Sequence, residues 1–257
     1  MNAIQVVGPQ RLQLIQVPEP EPQKGEVLVR MAALSVCGTD MRLFRHPQKA
    51  YPLAPGMPSH ECAGTIVESR LPGWKEGQRV IFLPRLNLNG GAEYVVGGPD
   101  CLVALPGDGD VAEWLMCQPW GTVLFALERI GSVVGKRVVV LGQGSIGLLF
   151  TRSLRHMGVR QLITADLLAH RLAWSRRLGA DLAIDAQRED VVGAVAEATQ
   201  GRGADLVIEA SGEPQALSWA IRVARMYATV VLFGIPEEDR IAVDYFPAMA
   251  KDRKAHV

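Results

Sequence analysis

The stretch Lys136–Asp166, KRVVVLGQGSIGLLFTRSLRHMGVRQLITAD, constrains the fold more than any other part of the chain. A β-branched run, Val138-Val139-Val140-Leu141, passes straight into Gly142-Gln143-Gly144-Ser145-Ile146-Gly147. Apolar residues then recur at helical spacing through Leu148, Leu149, Leu154 and Met157. The pattern reads as strand, tight glycine turn and helix. Gly158 closes the helix, and Gln161–Ala165 reads as a second strand that ends on the acidic Asp166.

This order is the one a dinucleotide site requires. Gly142 permits the sharp turn, Gly144 lets backbone N–H groups approach a pyrophosphate, and Gly147 lets the helix pack closely on the strand. The helix N-terminus offers unpaired N–H groups and a partial positive charge, with Ser145 and Ile146 in its first turn. Asp166 would accept hydrogen bonds from the adenosine ribose hydroxyls and repel a 2′-phosphate, which favours NAD over NADP. The bland reading is an ordinary βα turn in an open sheet that binds nothing.

Residues 1–118 read as short strands and turns, with β-like runs at Ala3–Val7, Arg11–Val17, Glu26–Val36, Ala63–Glu68, Arg79–Leu83 and Ala92–Val96, punctuated by Pro and Gly. A mostly-β domain, shaped as a partly open barrel, is expected there. From Val111 the spacing turns helical. Strands at Arg137, Leu162, Leu182, Ala204 and Thr229 then alternate with helices near Ala169, Val191 and Pro214. That alternation predicts an α/β fold, a doubly wound parallel sheet over residues 119–257.

Lys plus Arg and Asp plus Glu both total 27, so no net field draws the chain to nucleic acid, and no basic run interleaved with aromatics supplies a local one. No stretch reaches the roughly 18–20 apolar residues of a spanning helix, and the N-terminus has no basic, apolar leader. A cytoplasmic protein without membrane or nucleic-acid partners is expected. Its four cysteines, Cys37, Cys62, Cys101 and Cys117, are too scattered for a disulfide scaffold, which leaves reduced thiols or metal ligation.

Two further segments carry chemistry. Cys37-Gly38-Thr39-Asp40 follows a strand, and Ser59-His60-Glu61 opens the next β run. Separately, each has a bland reading: a small buried hydrophobe and a solvated loop pair. Together with Gly77-Gln78-Arg79-Val80, Gly91-Ala92-Glu93-Tyr94-Val95 and the Gly142–Gly147 turn, they resemble, in this order, the zinc-dependent medium-chain alcohol and polyol dehydrogenases. The resemblance runs from Met1 to about Gly234.

It implies a GroES-like catalytic domain and a Rossmann domain, with one catalytic zinc held by Cys37 and His60, Glu61 as a direct or exchangeable ligand, and an open position for substrate. Thiolate and imidazole suit Zn²⁺. Thr39 then looks like the hydroxyl that relays the alcohol proton, and Asp40 like the group that orients His60. Gln118 stands where relatives carry a metal-binding glutamate; it is a weaker ligand, favoured over Cys117 because adjacent helical residues point about 100° apart. The resemblance also makes Ser211 and Gly234 members of loops bordering the nicotinamide, and Arg171 a residue lying against the adenine.

The segment from Arg79 to Gly90 holds no cysteine where many relatives insert four, so no structural zinc is expected. The family's sixth parallel strand and its return into the catalytic domain are expected to be missing, as in a truncated or naturally short relative. A homo-oligomer is expected of the full-length form. These residues point to NAD-dependent, zinc-assisted oxidation of a polyol, sugar or small secondary alcohol. A zinc-free quinone or enone reductase is the second enzyme reading, and a decayed dehydrogenase that only binds dinucleotide is the non-enzyme one.

Overall fold

The computed structural model describes the chain except residues 85–88, 239, 244, 251–253 and 257. Part of the cysteine-free segment between Arg79 and Gly90 therefore lies outside the described residues. The chain forms two compact units, Met1–Pro119 and Trp120–Val257.

In the first unit, β1 (Asn2–Gly8) and β2 (Arg11–Gln16) form an antiparallel hairpin. β3 (Val27–Ser35), β4 (Glu61–Ser69), β5 (Arg79–Phe82), β6 (Tyr94–Gly97) and β7 (Leu102–Ala104) form an antiparallel sheet in the order β6-β3-β4-β5-β7. Alternate side chains of these strands build a core of Val27, Val29, Cys62, Ile66, Val80, Phe82 and Val95, as one buried sheet face demands. Gly64 brings β3 and β4 close together: a Cβ there would lie 2.3 Å from the Arg30 carbonyl oxygen. In the chain α1 (Gly38–Arg45) connects β3 to β4, and α2 (Val111–Leu115) follows β7.

The sequence pattern identifies neither α1 nor β7. Helix α1 has the sequence GTDMRLFR, only eight residues, of which Asp40 alone is buried, so its short run of apolar residues does not stand out as a helical period. Its entry is held by the Asp40 carboxylate, which accepts a 2.9 Å hydrogen bond from the Cys37 N–H.

Helix α3 (Cys117–Ile130) leads into the second unit. There β8 (Arg137–Leu141), β9 (Gln161–Asp166), β10 (Leu182–Asp185), β11 (Ala204–Glu209), β12 (Ala224–Leu232) and β13 (Lys254–His256) form a parallel sheet in the order β10-β9-β8-β11-β12-β13. The helices α4 (Ser145–His156), α5 (Ala169–Arg177), α6 (Val191–Ala198), α7 (Pro214–Val223) and α8 (Tyr245–Ala250) complete it.

The two-residue strand period splits the core. Val138, Val140, Leu162, Leu206 and Ile208 pack with Phe150 and Leu154 of α4 and Val123 and Leu127 of α3. Val139, Leu141, Ile163, Ala165 and Val207 pack with Val191 and Val195 of α6 and Ala216 and Ala220 of α7. A sheet covered on both faces needs unbroken apolar strands, which is why Val138–Leu141 reads as a continuous run.

The expectation of a missing sixth strand is corrected here. Lys254–His256 pairs in parallel with Thr229–Val231 of β12. Three residues reading Lys-Ala-His carry neither a β-branched run nor alternation, so no local pattern marks them. Their place comes from the open edge of β12, whose backbone N–H and C=O groups take a partner.

Candidate metal and cofactor sites

The metal-ligand candidates are brought together by strand pairing. Ser35, the last residue of β3, lies opposite Glu61, the first residue of β4. Cys37, just beyond β3, and His60, just before β4, therefore share one end of the sheet. Their donor atoms and a Glu61 carboxylate oxygen all lie within 4.8 Å of one another. Glu61 is buried, and the Ser35 hydroxyl donates to its Oε2.

Asp40 organises this cluster from the first turn of α1. Its Oδ1 lies 3.0 Å from His60 Nδ1 while its Oδ2 accepts the Cys37 N–H, so one buried carboxylate anchors both residues. Nε2 is left facing the cluster, 3.4 Å from the Thr39 hydroxyl. The hydrogen bond to Asp40, followed by the one to Cys37, raises the His60 pKa to about 10. Burial pushes the Cys37 thiol up, but hydrogen bonds from His60 and Thr39 outweigh it and hold the thiol below its ordinary value. Thiolate and neutral imidazole are the forms that ligate a metal, so binding there would be favoured as pH rises.

Gln118, in the first turn of α3, has its Oε1 buried with no hydrogen-bond partner among the described residues. A buried unpaired acceptor costs about 1–3 kcal/mol, which a bound cation would relieve. Cys117 beside it is exposed. The converging donors, a thiolate, an imidazole and a carboxylate, fit a zinc ion with a position left open.

In the second unit the glycine turn shows why each glycine is there. Gly142 has φ +89, and a Cβ on it would lie 2.9 Å from both Cβ and N of Ser211. A Cβ on Gly147 would lie 1.9 Å from the Gly142 carbonyl oxygen, whereas one on Gly144 would meet nothing within 4 Å. Gly144 is the N-cap of α4, and no side chain caps that helix. Ser145 beside it is exposed and Ile146 half-buried. An uncapped helix start beneath a gap that a Cβ would fill suits a phosphate.

Asp166, at the end of β9, is buried. Its Oδ2 accepts the Gln143 N–H at 2.6 Å and its Oδ1 the Leu168 N–H at 2.8 Å, which ties it to the glycine turn. Arg171 Nη1 stands 3.6 Å from Asp166 Oδ2, so the structure places that arginine beside the carboxylate. Gln143, which the motif contains without a role, and Thr151 brace the turn: Gln143 is fully buried and its Oε1 accepts the Thr151 hydroxyl at 2.9 Å. A polar residue between two motif glycines was the one signal available for it.

Ser211 and Gly234 lie in loops at the carboxyl ends of β11 and β12. Ser211 directs both its N–H and its hydroxyl to Glu209 Oε1, and a Cβ on Gly234 would come 2.1 Å from Gly212 N.

Comparison with known proteins is consistent across both units. The alcohol dehydrogenase GroES-like domain matches residues 23–127, and the zinc-binding dehydrogenase domain matches residues 145–256. The chain belongs to the zinc-dependent medium-chain dehydrogenase family. Within that family it is similar to an alcohol dehydrogenase of Cupriavidus necator, with 29% identity over 99% of this chain and 82% of the relative. It is also similar to a sorbitol dehydrogenase of Macaca fascicularis, with 29% identity over 91% of this chain and 74% of the relative. A zinc-binding dehydrogenase from Sinorhizobium meliloti, solved bound to NADP, shares the fold with a TM-score of 0.85 and 24% identity over 99% of this chain and 82% of that one. No described helix is long and apolar enough to cross a membrane.

Proposed function

We propose that this family member is an NAD-dependent, zinc-assisted dehydrogenase that oxidises a polyol, sugar or small secondary alcohol to the carbonyl by hydride transfer. The observation that carries the reading is the convergence of Cys37, His60 and Glu61 donor atoms within 4.8 Å. Cys37, His60 and Glu61 would hold zinc, with the orphaned Gln118 oxygen as a further donor. When bound, zinc supplies a Lewis acid that lowers the pKa of the alcohol, and NAD supplies the hydride acceptor.

The chain's own groups do the rest. Asp40 holds the His60 ring so that Nδ1 is engaged and Nε2 points to the metal position. Thr39, whose hydroxyl lies beside Nε2, accepts the alcohol proton and passes it outward. Backbone N–H groups at the start of α4 hold the pyrophosphate. Asp166 accepts the ribose hydroxyls through the lone pairs its two backbone donors leave free, with Arg171 against the adenine. A buried carboxylate at that point opposes a 2′-phosphate, which supports NAD as the cofactor even though a structural relative is bound to NADP.

The test is metal analysis of the purified protein combined with a screen of polyols, sugars and simple alcohols against both NAD⁺ and NADP⁺. Cys37→Ala is expected to lose stoichiometric zinc and turnover together. Turnover by a metal-free preparation would reject the proposal.

A further inference from the structure

Four carboxyl side chains are buried among the described residues: Asp40, Glu61, Asp166 and Glu209. The chemistry above uses the first three and leaves Glu209 without a role. It is the last residue of β11, only 3% exposed, and has no cationic partner among the described residues. Burying such a group without compensation is expensive, so its surroundings must explain it.

All its partners lie in one turn. Oε1 accepts the Ser211 N–H at 2.7 Å, the Ser211 hydroxyl at 2.5 Å and the Gly212 N–H at 3.0 Å. Its other oxygen would lie 2.6 Å from a Cβ on Gly234, so the loop after β12 is seated directly against the carboxyl group. The backbone carbonyl of Glu209 also accepts the N–H groups of Phe233 and Gly234, both at 2.9 Å. One residue thereby ties two loops of the carboxyl edge to each other, and the first of them supports Gly142 through Ser211.

The sheet order says which part of a dinucleotide these loops serve. The chain leaves β8 for β9 on one side, while β11 and β12 lie on the other, so the crevice opens at the carboxyl end of β8. Asp166 at the tip of β9 assigns the adenosine half to that side. The nicotinamide half then extends over the tips of β11 and β12. We infer that Glu209 is a positioning residue that sets the Ser211-Gly212 turn and Gly234 as the platform for the nicotinamide half of the cofactor. The inference rests on the dinucleotide reading above.

The test compares NADH with ADP, which carries adenosine and pyrophosphate but nothing of the nicotinamide half, by calorimetry on the full chain. Glu209→Ala frees three donors in the turn and is expected to weaken NADH on the order of tenfold, while ADP affinity stays within about twofold. Glu209→Gln keeps the volume and one acceptor oxygen, and is expected to fall between wild type and alanine. Unchanged NADH affinity in both variants would overturn the inference. So would equal weakening of NADH and ADP in the glutamine variant, the mark of a purely structural role. Wild-type chain that binds neither ligand would instead bring down the dinucleotide reading itself.

Discussion

Gly147→Ala sets local propensity against tertiary packing. Gly147 is the third residue of α4 and does not occupy the left-handed region, so helix propensity alone predicts that alanine stabilises by about 1 kcal/mol. The contacts predict the reverse. The new methyl carbon would lie 1.9 Å from the Gly142 oxygen and 2.8 Å from its carbonyl carbon, where ordinary contact begins at 3.4 Å. Both obstacles are backbone, so no side chain can rotate away, and the turn and helix must part by roughly 1.5 Å. Inserting a methyl group into a tight core typically costs about 1–3 kcal/mol, and a backbone obstacle puts this case at the upper end. Set against the propensity gain, the expected net loss is about 2 kcal/mol, or about 4–8 °C in the thermal midpoint. Gly144→Ala is the matched control: its φ is −67 and its Cβ meets nothing within 4 Å, so the midpoint should stay near wild type. That methyl instead fills the gap over the uncapped helix start, and dinucleotide affinity should fall at least tenfold. Differential scanning calorimetry and NADH titration of both variants decide the matter. A Gly147→Ala midpoint at or above wild type, or equal destabilisation by the two substitutions, refutes the argument.

Two further outcomes follow from the polar contacts. Asp40→Ala strips the acceptor from both His60 Nδ1 and the Cys37 N–H and should reduce zinc affinity about 10–100-fold in a chelator competition; unchanged affinity would deny Asp40 its orienting role. Asp205, at the start of β11, is pushed up by burial but held lower overall by the Arg137 N–H at 2.7 Å and by Arg225. A depressed folded-state pKa stabilises above the unfolded value of about 3.9, and that contribution is lost as pH falls through the folded value. Asp205→Asn should therefore lower stability by about 1 kcal/mol at pH 7, with the gap to wild type narrowing as the pH falls below the unfolded value in urea titrations. A gap that is independent of pH would contradict this.

How much of the site is legible in the sequence depends on the range of the interactions that make it. The strand, turn and helix at Val138–Leu154 rest on glycine conformation, β-branched stiffness and apolar period, all encoded within a few residues. Helix α1 escaped because its entry depends on one carboxylate that also serves the His60 ring. Strand β13 escaped because three residues owe their conformation to an edge they meet far along the chain.

From the sequence alone come the alternating β/α order of the second half, the dinucleotide turn with Asp166 at its second strand, and the residue types Cys37, His60 and Glu61 suited to a soft metal. Tertiary structure decided that β3 and β4 pair so as to bring those three donor groups within 4.8 Å, that Gln118 carries an unpaired buried oxygen, and that Glu209 gathers two loops. Propensity and periodicity act between neighbours. Donor convergence and burial depend on strand register, which sets contacts between residues far apart in the chain and leaves no local trace.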